Sequence, residues 1–164
     1  MTSKFRMHGG NFTRVLAWEA SKYDAPAFWR RVPASLVPIL QFFNVPCDAE
    51  PEGKHNPWRV LAAIAKPSDY VVVKLDVDHQ QTELALVDQL LSGNSPASRL
   101  VDEVFWEHHV AGSLVCCPLL WRNNHGMGWE RMRFNTTDVR QTLHGSYEIF
   151  SRLRQLGIRA HSWV

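Results

Sequence analysis

Short apolar runs alternate with amphipathic stretches along most of the chain. Val15-Leu16-Ala17-Trp18, entered from Arg14, reads as a buried strand with a carboxylate, Glu19, at its exit. One or two helical turns are predicted within Tyr23–Arg31, and Pro33 ends them. Val37–Phe43 is a second apolar strand with Asn44 at its exit. The stretch 45–56 carries Pro46, Pro51, Gly53 and several acids, which makes it a loop.

Asn56-Pro57 suits the cap and first position of a helix. Trp58, Leu61, Ala62 and Ala65 then share a face, and Pro67 closes it. Tyr70-Val71-Val72-Val73-Lys74-Leu75 is the clearest strand, and its β-branched run suits a central position buried on both sides. Leu84, Val87, Leu90 and Leu91 recur at helical spacing, with Gly93 as a stop. Leu100–Trp106 is a further strand, and 110–137 is irregular. Val139, Leu143, Phe150, Leu153 and Leu156 form the stripe of a last helix, Gly157 sits just past its end, and Ile158–Val164 is the final strand.

Strands and helices in near-alternation predict an α/β, Rossmann-like fold. Its mostly parallel sheet of about five strands is flanked by helices within one domain spanning 1–164. A chain of 164 residues, 45% apolar and 21% charged, can build a real core. The net charge of +2 and the scattered Arg and Lys leave no footprint for nucleic acid. Cys47, Cys116 and Cys117, with no CxxC, suit reduced thiols rather than a disulfide framework. No apolar run is long enough for a membrane span, and Met1–Gly10 lacks the apolar core of a signal peptide, so a cytoplasmic protein is the default expectation.

In open α/β sheets ligands bind beyond the carboxyl ends of the strands. This directs attention to Glu19, Asn44, Asp76 with Asp78, and Glu107 with His108 and His109, gathered mainly at the ends of Val71–Asp78 and Val101–His109. Lys74, Asp76 and Asp78 alternate, so an extended strand puts them on one face. An ammonium between apolar strand residues needs a carboxylate, and Asp76 is the nearest. The bland counterpart is that Asp78 caps the next helix. Glu107, His108 and His109 suit proton transfer, and Asp76, Asp78 and His109 suit a divalent metal. Adjacent histidines point to opposite sides of a strand, so one at most faces such a site. The glycine-bearing stretch Trp121–Arg133, with His125 and Trp129, reads either as a binding loop or as core cover.

Tyr70-Val71-Val72-Val73-Lys74-Leu75-Asp76-Val77-Asp78 followed by Glu83 resembles the fourth-strand region of FkbM-type methyltransferases, with His79-Gln80-Gln81 where the family's glycine turn stands. Val104-Phe105-Trp106-Glu107 resembles the next strand, Leu153–Ile158 the later helix-to-strand step, and Leu16-Ala17-Trp18-Glu19 the second strand. The resemblance implies a class I, S-adenosylmethionine-dependent methyltransferase fold. On it Glu19 binds the cofactor ribose, Asn44 sits near the adenine and Asp76 near the methyl-transfer centre.

The family's first strand and Gly-rich turn have no counterpart before Glu19, where Gly9-Gly10 leaves no room for the intervening helix. The chain therefore reads as an N-terminally shortened relative, active or inactive. The apolar edge left by a missing strand favours a homo-oligomer.

The resemblance implies a small-molecule or glycan substrate. A metal-dependent glycosyltransferase competes with it, because Asp76-Val77-Asp78 also matches a DxD motif. A non-catalytic binding module is the third reading.

Overall fold

The computed structural model describes residues 11–110 and 137–162. Cys116, Cys117, Gly9-Gly10 and the stretch with His125 and Trp129 lie outside them. The chain divides into two compact units, Met1–Asp48 and Ala49–Val164. The described residues form five strands, in two parallel sheets of two and three strands, one in each unit.

In the first unit, β1 (Val15–Trp18) and β2 (Leu40–Phe43) pair in parallel, Val15 opposite Leu40. Helix α1 (Ala25–Arg31) joins them, its N-terminus capped by the Asp24 carboxylate on Ala27 N. The second strand starts later than the apolar run Val37–Phe43 suggests. Around Pro38 the chain turns instead, with Ile39 N donating to Leu36 O. None of the residues 11–48 is fully buried, and the packing is aromatic. Trp18 stacks on Phe43 at 4.8 Å, and Phe28 on Phe42 at 3.9 Å.

In the second unit, β3 (Val72–Leu75), β4 (Glu103–Trp106) and β5 (Arg159–Ser162) lie side by side in chain order. Helix α2 (Pro57–Ile64) precedes them, α3 (Gln80–Leu91) links β3 to β4, and α4 (Leu143–Gln155) follows before β5. Parallel crossovers are right-handed, so two successive steps in one direction place both connecting helices on one face. Val104, Trp106 and Ala160 on that face are buried, as are Leu86, Val87 and Leu90 of α3 and Ile149, Phe150 and Leu153 of α4. Trp58 of α2 donates its indole N–H to Leu86 O, which fastens α2 to α3.

Strand β3 is not buried on both sides as its valine run suggests. It pairs with β4 alone among the described residues, Val72 and Val73 are half-buried, and Lys74 is exposed. The central strand is β4. The α4 stripe also differs from its prediction. Val139, Leu143 and Leu156 are exposed, and the buried face is Gly145, Ile149, Phe150 and Leu153. Residues Val139–Gln141 form a 3₁₀ turn before α4, and a Cβ on Gly145 would stand 2.0 Å from Val139 O. Only glycine permits that approach. Gly157, at φ +89°, ends α4 with Ile158 N donating to Leu153 O.

Candidate functional site

The carboxyl ends of β3 and β4 are stitched together beyond the sheet. Glu107 N continues the ladder to Leu75 O, and the Gln80 side chain donates to His109 O at 2.9 Å. Between Leu75 and α3 the chain makes a tight turn in which Asp78 takes φ +53°. That left-handed conformation is one that Asp tolerates. The cap of α3 is His79 rather than Asp78, its Nδ1 accepting from Thr82 N. With its backbone left-handed one residue earlier, Asp78 is turned out of the capping position, and its side chain is 61% exposed.

Within this turn Lys74 and Asp76 form a close ion pair, as their shared strand face requires. The register that sets Leu75 beside Trp106 also brings Asp76 beside Glu107, and the two carboxyls interact, which lowers Asp76 and raises Glu107. Two carboxylates in contact cannot both ionise cheaply, and one retains a proton. Burial, the Asp76 hydrogen bond and the charges of Asp76 and Asp78 push Glu107 up to about 7, with Lys74 opposing. Burial also acts to raise Asp76, but the hydrogen bonds from Lys74 and Glu107 and the charges of Lys74 and His109 outweigh it and hold Asp76 below its ordinary value. The pair therefore takes up one proton, centred on Glu107, as pH falls through about 7.

The two histidines diverge as strand alternation requires. His109, 1% exposed, places Nε2 3.5 Å from Asp78 Oδ1 and 4.0 Å from Glu107 Oε1. His108 turns to the helices instead. Its ring stacks on Trp106 at 3.8 Å and Nδ1 lies 3.0 Å from Ser146 Oγ on α4. Burial and the His109 charge push His108 down to about 3, leaving it neutral at physiological pH. The structure thus brings Lys74, Asp76, Asp78, Glu107 and His109 together and places His108 on the helix side. Among the described residues no three His, Cys, Asp or Glu side chains form a group that could hold a metal ion.

Glu19 and Asn44 organise one loop of the first unit. The Asn44 amide donates to Glu19 O and Ser21 O, and its Oδ1 accepts from Tyr23 N. Glu19 accepts from Ser21 N through Oε1. Sequence reasoning did not single out Glu83 for this site. It is 1% exposed, and its two oxygens accept from Val77 N at 3.0 Å and Trp106 Nε1 at 3.1 Å. The available signal was a glutamate in the first turn of α3, directly after the acidic segment. Also unanticipated is a network at the start of the sheet, where Glu103 accepts from Tyr70 Oη and pairs with His161.

A proton held by the native pair makes stability depend on pH. Glu107 binds its proton more tightly folded than unfolded, so its contribution is fully present below about pH 4.5 and is lost as pH rises through about 7. His108 acts oppositely, contributing above pH 6.5 and losing its effect as pH falls toward 3. Burial also raises Glu83, so urea unfolding between pH 6.5 and 8 reports on Glu107 through the comparison of wild type with Glu107→Gln. Wild type is expected to lose stability across that range. Glu107→Gln, a neutral mimic of the protonated acid, is expected to show a flatter profile there.

No helix among the described residues is long and apolar enough to cross a membrane. Comparison of the chain with protein-family models, with curated proteins and with solved structures finds no match in any of the three.

Proposed function

We propose that this chain is a methyltransferase-like α/β protein in which the Asp76–Glu107 pair receives the proton of a hydroxyl- or amine-bearing acceptor, a small molecule or a glycan. The observation that carries this is the register that sets Leu75 beside Trp106 and so brings the Asp76 and Glu107 carboxyls to neighbouring strand ends, where their interaction and burial push Glu107 up to about 7. A general base works best with a pKa near the operating pH.

Bound S-adenosylmethionine would supply an electrophilic methyl group. As the acceptor oxygen or nitrogen gains that methyl, its own proton must leave, and the pair in its fully ionised form is placed to take it on Glu107, the member that titrates at about 7. Lys74 offsets the negative charge that the pair otherwise carries, and the fixed turn keeps both carboxyls on one side of the sheet. By its chemistry alone Glu19 fits a ribose diol, because among the described residues only its Oε1 is engaged, by Ser21 N. Asn44 does not fit as a direct adenine contact, since its amide is spent on the Glu19 loop.

The DxD reading is less well supported. A metal bridged by Asp76 and Asp78 would need Asp76 oxygens that Lys74 and Glu107 already occupy. Thermal unfolding with millimolar S-adenosylmethionine or S-adenosylhomocysteine tests the proposal. A ligand at 100 times its Kd stabilises by about 2.7 kcal/mol, a readily measured rise in Tm. A shift with UDP and Mn²⁺ instead, lost in Asp78→Ala, would transfer the case to a glycosyltransferase. A flat response to all would leave a non-catalytic binding module.

A further inference from the structure

We infer that Glu83 is the positioning residue of this site, a buried clamp whose two oxygens fix Asp76 against Glu107 from the opposite side of the sheet. The inference rests on the acid-pair reading above. A carboxylate that is 1% exposed is costly unless its oxygens are satisfied. Glu83 meets that need with two donors from two different elements, Val77 N and Trp106 Nε1. Each donor is the immediate chain neighbour of one member of the pair. Val77 follows Asp76, and Trp106 precedes Glu107.

Strand alternation sends Trp106 to the helix-covered face and Glu107 to the opposite one. One carboxylate beneath the sheet therefore sets the spacing of two carboxyls above it. The turn needs such a hold, because the next residue, Asp78, is in the left-handed region at φ +53°. The charged and titratable groups around Glu107 are Lys74, Asp76, Asp78 and His109 on the open side. Glu83 lies across the sheet and bonds to none of them.

The experiment is an NMR titration of the Glu107 side-chain carboxyl in wild type, Glu83→Gln and Leu84→Ala. Glutamine keeps the shape but turns an NH₂ toward one of two N–H donors, so one anchor must let go. In Glu83→Gln the Glu107 midpoint is expected to move down by about one pH unit or more as the pair separates. Leu84→Ala removes a buried side chain from the same helix turn without touching the clamp, and its midpoint is expected to match wild type. A Glu83→Gln midpoint equal to wild type overturns the inference and leaves the acid pair standing. A wild-type midpoint at the ordinary glutamate value overturns both. If Glu83→Gln does not fold, amide exchange in the wild type decides: Val77 N–H is expected to be protected although Val77 is 37% exposed, and exchange at the open-chain rate overturns the clamp.

Discussion

Trp106→Ala is expected to destabilise the protein by about 5 kcal/mol, enough to bring a typical domain to the edge of unfolding. Trp106 is wholly buried on the central strand, stacked on His108 at 3.8 Å and packed against Phe150 at 5.7 Å. Removing a large buried aromatic side chain costs about 3–5 kcal/mol through lost transfer energy and the cavity left behind. A second cost is specific to this site. The indole N–H is one of two donors to the buried Glu83, and its loss leaves a carboxylate oxygen unsatisfied. Trp106→Phe separates the two contributions, since it keeps a ring and loses the donor. Denaturant unfolding is expected to rank wild type, Trp106→Phe and Trp106→Ala in falling order, with roughly a third of the loss appearing at the first step. A Trp106→Phe variant as stable as wild type would show that the Glu83 bond contributes little.

Asn56→Ala is expected to cost about 3 kcal/mol, large for a residue outside the strands. Asn56 is fully buried at the N-terminus of α2. Its Oδ1 accepts from Trp58 N and Arg59 N, and its Nδ2 donates to Glu50 O and Gln89 Oε1. One side chain thus caps a helix, ties down the preceding loop and anchors to α3. Loss of a cap alone costs about 1 kcal/mol, and stranding the loop and α3 partners in a buried place adds the rest. Asn56→Asp keeps the accepting oxygens and loses the two donated bonds. Its unfolding free energy is expected to fall between those of wild type and Asn56→Ala.

The signals that were legible in the sequence are the ones that act over a few residues. Asn56-Pro57 and Gly157 mark helix ends through local backbone chemistry, and α2 and α4 begin and end there. Apolar runs mark strands for the same reason. Which strand lies at the centre depends on pairing between residues far apart, and the valine run of β3 carries no information on its neighbours. Among the described residues it pairs with β4 alone, as the chain-order arrangement β3-β4-β5 shows.

The candidate site divides along the same line. That Lys74 and Asp76 share a face is a consequence of the two-residue period, and their ion pair follows. The meeting of Asp76 with Glu107 depends on the register that sets Lys74 beside Phe105 and Leu75 beside Trp106. That register is fixed by burial of the helix-side face and cannot be read from either strand alone. The choice between His108 and His109 is set by the same alternation once the register is known. The cap fell to His79 rather than Asp78 because a single residue entered the left-handed region.

The central claim is that Asp76 and Glu107 act as a pair that takes up one proton as pH falls through about 7. Carbon-detected NMR titration of the Glu107 carboxyl, in wild type and in Asp76→Asn, tests it most directly. The wild-type midpoint is predicted at about 7, and Asp76→Asn is predicted to lower it while burial keeps it above the ordinary value. A wild-type midpoint near 4.5 that Asp76→Asn leaves unchanged would contradict the account.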